Sequence, residues 1–196
     1  MGTLRLFYLI PLFFFVMGNS LVGFGETIIL VEKGVPRFQL ALNENPEPDE
    51  ELAATEFCHY VERMSGAIFQ RVSKTAKEPK LVLGIADGGG KKLGPEECLI
   101  EMSGKDLHIL GGSARATLWA VYGILHELGC RWYIPGEIGE VVPTRKTLTI
   151  NGEKRVDSPD FPFRQIWYSW GGPEDGGARF HEWNRRNRCI TPHVSH

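Results

Sequence analysis

Residues Gly111–Pro143 read GGSARATLWAVYGILHELGCRWYIPGEIGEVVP. Ala114, Ala116, Leu118, Trp119, Ala120, Val121, Ile124, Leu125 and Leu128 put apolar side chains on nearly every side of one helix. Only Arg115, Thr117, Tyr122 and His126–Glu127 interrupt it. A helix patterned this way is buried on more than one face. Ser113 can cap its start, because a serine hydroxyl accepts a free N–H of the first turn. Gly129 can end it in the left-handed conformation. Cys130–Ile134 then reads as a short strand and Pro135–Gly136 as a turn. The expected arrangement is a central helix with a sheet on one side and a second surface on the other.

Upstream, β-type runs alternate with breaks. Thr27–Val31 and Phe38–Leu42 flank Gly34-Val35-Pro36 and predict a hairpin. Asp49 reads as the N-cap of a helix through Met64, with Ala53, Phe57, Tyr60, Val61 and Met64 on one face. Ser65-Gly66 stops it. Ile68–Val72 and Leu81–Ile85 read as strands, and the unbroken apolarity of the second predicts burial on both faces. Cys98–Met102 and Leu107–Leu110 form a hairpin around Ser103–Asp106, and Leu148–Ile150 adds a short strand. The fold class is α/β, a mixed sheet with helices, over residues 26–150.

Residues 1–25 read as a signal peptide. Arg5 supplies a positive start, Leu6–Met17 an apolar run, and Gly23-Phe24-Gly25 a small-x-small cleavage site. Gly18-Asn19-Ser20 ends the run short of the roughly 20 residues a membrane span needs. The expected location is secreted or periplasmic, with no membrane attachment after cleavage. Export permits disulfides, and Cys58, Cys98, Cys130 and Cys189 allow three full pairings. Buried free thiols are the reading adopted for them. A net charge of −2 gives no basic footprint for nucleic acid.

Several short motifs do not carry chemistry. Asp87–Lys92 lacks the Gly-Lys-Ser/Thr order of a phosphate loop and reads as a surface loop. Gly111-Gly112 reads as a tight strand-to-helix turn. His181-Glu182 opens like a zinc-protease motif, but Arg185 stands where the second ligand belongs. Cys189, His193 and His196 match no standard metal spacing. No cofactor is expected.

From Asn151 the character changes. Residues 151–159 read as a polar linker. Asp160–Arg164 then leads into the aromatic strand Gln165–Trp170, a loop at Gly171–Gly177, a helix over Ala178–Arg188 and a further strand from Cys189. That order begins a βαβ series.

The Gly111–Pro143 stretch, followed by DSPDFPFRQIWYSW at 157–170, resembles the N-terminal part of exported glycoside-hydrolase-like proteins. These join an α-glucuronidase-type α/β domain to a (β/α)₈ barrel, a layout shared with family 20 β-N-acetylhexosaminidases. The resemblance implies that residues 160–196 open an incomplete TIM barrel. It implies that Arg164 binds ring hydroxyls, a task suited to a guanidinium fork. Segment 186–196 is similar to the second barrel strand, which implies that His193 and His196 face the sugar. The alternative for Arg164 is a surface ion pair. A complete barrel takes about 250 residues and carries its catalytic groups on several strands, so no catalytic residue is assigned here. The implied partners are a carbohydrate, in a complete protein, and the missing C-terminal barrel. Two functions follow: the accessory domain and barrel start of a glycoside hydrolase acting on polysaccharide or glycan, inactive alone, or a stand-alone carbohydrate-binding or scaffolding domain.

Overall fold

A computed structural model describes residues 26–86, 92–166 and 176–190. The proposed signal peptide, the Asp87–Lys91 part of the glycine-rich loop, the end of the aromatic strand, His193 and His196 lie outside the described residues. In chain order the elements are β1 (Thr27–Glu32), β2 (Val35–Pro36), β3 (Gln39–Ala41), α1 (Pro48–Ser65), β4 (Arg71–Val72), β5 (Lys80–Ile85), β6 (Cys98–Ser103) and β7 (Asp106–Gly111). There follow α2 (Ala114–Glu127), β8 (Arg131–Trp132), a 3₁₀ turn at Glu137–Gly139, β9 (Glu140–Val141), β10 (Leu148–Asn151), β11 (Arg155–Asp157) and α3 (Gly176–Arg186). No helix among the described residues is long and apolar enough to cross a membrane.

The main sheet has the order β11-β6-β7-β5-β3-β4. Strands β4, β3, β5 and β7 run parallel, and β6 and β11 join antiparallel. Leu81, Leu83, Leu107, Ile109, Cys98 and Ile100 point into the core, as alternation along a strand requires. Leu81, Val82, Leu83 and Gly84 of β5 are buried, as the continuous apolarity of Leu81–Ile85 predicts, while Ile85 is half-buried.

Helix α2 lies against β5, β6 and β7 and beside α1. Its polar interruptions are explained by their partners. Thr117 is fully buried; its hydroxyl donates to Gly84 C=O at 2.8 Å and accepts the Gly111 N–H at 3.2 Å. Tyr122 is 1% exposed and donates to Glu56 at 3.2 Å. Ser113 caps the helix by accepting the Ala116 N–H. Gly129 follows in the left-handed region at φ 106°. The entry turn tolerates no side chain at Gly112, where a Cβ would stand 1.9 Å from Gly94 O.

Three expectations are corrected. First, β1 and β3 are not a hairpin. β1 pairs with β2 and β10 in a separate three-stranded sheet, while β3 runs parallel to β4 and β5. The Lys33-Gly34 turn returns the chain beside β1 only as far as the Arg37 N–H bond to Leu30 C=O at 2.9 Å, after which the Gln39 N–H turns to Pro79 C=O. Second, Asp49 is not the cap of α1. The N-cap is Glu47, Pro48 takes a first-turn position where its missing N–H costs nothing, and Asp49 pairs with Arg115 at 2.6 Å. Third, the polar stretch at 151–159 contains β11, which extends the main sheet through β6. Its charges did not prevent pairing because β11 is an edge strand with its side chains half-buried or exposed.

All four cysteines are free thiols. Burial pushes Cys98 and Cys130 up to about 11, so neither is a nucleophile near neutral pH.

Candidate functional site

The described part of the chain brings Arg164 into a cleft of about 220 Å³, lined by Glu96, Trp119, Asp157, Phe161, Arg164 and Arg188 among others. Its guanidinium lies over the Trp119 ring at 4.8 Å. Nη1 and Nη2 meet the two Glu96 oxygens at 3.2 and 3.3 Å. Nη1 also donates to Phe161 C=O at 2.7 Å and Nε to Arg188 C=O at 3.1 Å. These bonds occupy Nε, both hydrogens of Nη1 and one of Nη2. Nearby, Arg188 pairs with Asp157 at 3.4 Å. The fork geometry that suits a sugar hydroxyl pair is here turned onto a carboxylate of the same chain.

A second cluster joins α3 to the α/β domain. Tyr60 and Glu56 come from α1, Trp132 from β8, Glu140 from β9 and Arg186 from the end of α3. The Tyr60 hydroxyl donates to Glu140 Oε1. Trp132 Nε1 donates to the Tyr60 oxygen at 3.0 Å and to Glu140 Oε1 at 3.2 Å. Arg63 holds the other Glu140 oxygen at 2.6 Å. Arg186 meets Glu56 at 3.2 Å, Glu140 at 3.7 Å and Glu182 at 2.6 Å. Its guanidinium also lies 5.4 Å from the Tyr60 ring and 6.0 Å from the Trp132 ring. Trp183 Nε1 and Asn187 Nδ2 both donate to the Trp132 carbonyl, at 2.9 and 3.1 Å.

Sequence reading missed this cluster. The residue pattern places Arg186 in the helix expected over Ala178–Arg188, as α3 bears out, while the family resemblance counts it with the second barrel strand. Glu56, Glu140 and Arg186 are too far apart in the chain for any motif spacing to join them.

The electrostatics of the cluster set its pH response. Burial pushes the Glu140 carboxyl up, but the Tyr60, Arg63 and Trp132 hydrogen bonds and the Arg63 charge outweigh burial and hold it below the ordinary 4.5. A carboxyl with a depressed folded-state pKa stabilises the fold above its unfolded value, and that contribution is lost as pH falls through the folded value. The cluster is therefore expected to stay intact down to about pH 4.5 and to loosen only below it. Near-UV circular dichroism, which reports the packed Tyr60 and Trp132 rings, checks this. A transition centred above about pH 5.5, nearer the histidine range, would contradict it.

No protein-family model and no curated protein matches this chain. Its fold is similar to that of a family GH115 4-O-methyl-α-glucuronidase, BtGH115A, described as specific for decorated arabinogalactans. The TM-score is 0.61 at 15% identity, over 82% of this chain and 25% of that one. A GH20 β-N-acetylhexosaminidase from Streptomyces coelicolor A3(2) matches at a TM-score of 0.49 and 15% identity, over 71% of this chain and 25% of that one. The GH20 exo-β-N-acetylglucosaminidase of Vibrio harveyi gives a TM-score of 0.44 at 16% identity, over 71% and 18%. The fold is thus like that of part of the GH115 enzyme, and the chain spans a quarter or less of the length of these proteins.

Proposed function

We propose that this chain is the N-terminal accessory domain and the opening βα unit of an exported glycoside-hydrolase-like protein acting on polysaccharide or glycan, inactive by itself. Support comes first from the fold likeness to the GH115 enzyme over 82% of the chain. The observation that carries the second half is one main-chain bond. Ile190 N–H donates to Arg164 C=O at 2.8 Å, with α3 between the two segments. A bond of that kind across a helical crossover is what the first rung of a parallel β–α–β pair requires. Barrel enzymes are built by repeating that unit, with catalytic groups at the ends of several strands.

Glycoside hydrolysis uses an acid and an opposing carboxylate or its substitute. Around the Arg164 cleft, Glu96 is held by Arg164 and Asp157 by Arg188. In this reading the substrate-binding roles of Arg164, His193 and His196 belong to the complete barrel.

One experiment tests location and activity together. The full chain is expressed with its own N-terminus, and the exported product is weighed and assayed. The expected product begins near Glu26 and releases no aryl leaving group from aryl glycosides above the buffer rate. Retention of Met1 in the membrane fraction would remove the export reading. Turnover that follows the protein through purification would remove the inactive-alone reading.

A further inference from the structure

Helix α3 docks onto the α/β domain through both apolar and polar contacts. Among its described apolar residues, only Phe180 and Trp183 are turned substantially inward, at 7% exposure for the first and with partial burial for the second. Polar contacts add to these: Trp183 Nε1 and, just past the helix, Asn187 Nδ2 donate to the Trp132 carbonyl, and Arg185 Nε donates to the Tyr122 hydroxyl at 3.4 Å. Arg186 enters a socket walled by the Tyr60 and Trp132 rings and ended by Glu56 and Glu140. The socket belongs wholly to the α/β domain, from three elements that are sequential neighbours of none of α3.

The socket is built for a guanidinium. Two carboxylates, both largely buried, converge from different elements, with side chains 11% exposed at Glu56 and 10% at Glu140. Glu140 already has Arg63, while the cation shared between Glu56 and Glu140 is Arg186. A planar fork can bridge two carboxylates and lie against aromatic faces at once, which a compact ammonium cannot do. Burial disfavours the Arg186 charge, but Glu56, Tyr60 and Glu182 outweigh it and raise its affinity for the proton. Two residues further on, the chain bends at Arg188, a non-glycine residue at φ 57°, and Ile190 then meets Arg164. The socket therefore lies at the end of α3, just before the turn that brings Ile190 to Arg164.

We propose that the α/β domain is an intramolecular folding template for the unit that follows it, with Arg186 as the positioning residue that couples the two. An accessory domain of this kind does more than sit beside a barrel. It orders the helix α3 and, through it, the bond from Ile190 N–H to Arg164 C=O. This rests on the reading of residues 160–190 as an opening βα unit.

The test is hydrogen exchange on the full chain, comparing amides of α3 with amides of α2. In the unaltered protein α3 is expected to be protected. In Arg186→Gln its protection is expected to fall at least about tenfold, as loss of a charged, bridging partner implies, while α2 keeps its own. Unchanged α3 protection overturns the proposal. So does an equal loss in α2 and α3, which would report general destabilisation. If Arg186→Gln does not fold, Arg186→Lys replaces it, since it keeps the charge and loses the fork. A selective loss of about threefold or more in α3 then supports the template, and none overturns it. Glycosidase activity in the isolated chain would remove the inactive-alone reading and leave this result untouched.

Discussion

Replacing Trp132 by alanine is expected to cost about 3–5 kcal/mol of folding stability, the range for deleting a buried tryptophan. The side chain is 5% exposed. It stands edge-on to Tyr60 and Tyr122, at ring distances of 5.3 and 5.7 Å, and so ties α1 to α2. Its N–H also reaches the Tyr60 oxygen and Glu140, so alanine removes a donor as well as leaving a cavity. Trp132→Phe restores most of the volume and none of the donor, and should recover more than half of the loss. Chemical denaturation of the full chain measures both. A loss below about 1 kcal/mol in Trp132→Ala would show that the joint collapses around the gap.

Glu50→Ala should cost about 3 kcal/mol or more, through a different mechanism. The residue is 1% exposed on the first turn of α1. Its Oε1 accepts from Asn43 Nδ2 at 2.8 Å and from the Ile85 N–H at 3.1 Å; its Oε2 accepts from the Glu47 N–H at 2.7 Å. One carboxylate thus fastens the start of α1 to the ends of β3 and β5. Alanine leaves these donors without an acceptor in a place water reaches poorly. The site is closely fitted: a Cβ on Gly84 would stand 3.1 Å from Glu50 Oε1. Glu50→Gln keeps one acceptor oxygen and is expected to lose about half as much. Exchange at the Ile85 amide should rise in both. An unfolding midpoint unchanged in Glu50→Ala would mean that water replaces the carboxylate without penalty.

These two residues mark the limit of sequence reading from opposite sides. Trp132 stood inside the stretch that was legible. Glu50 did not stand out, because the helix start had been assigned to Asp49, one residue away. An acidic run of Glu47, Asp49, Glu50 and Glu51 offers several possible caps. Choosing among them requires the position of the Ile85 amide, which belongs to another strand. Arg164 drew notice only through the family resemblance, and the structure pairs it with Glu96, which no local pattern had connected to it.

What the sequence determined by itself was local. The apolar pattern of 114–128 required a helix buried on several sides, Ser113 its start, and the unbroken run at 81–85 a strand covered on both faces. The β6–β7 hairpin followed from a four-residue turn between two apolar runs. Each depends on contacts between residues close in the chain, where period and turn chemistry suffice. Only the tertiary structure decided which strands share a sheet, that β1 and β3 part company, and that β11 returns to β6. It alone decided that Glu56 and Glu140 enclose the charge of Arg186. Those outcomes are set by non-local pairing and desolvation, where the partner's location, not the residue's own neighbours, determines the energy.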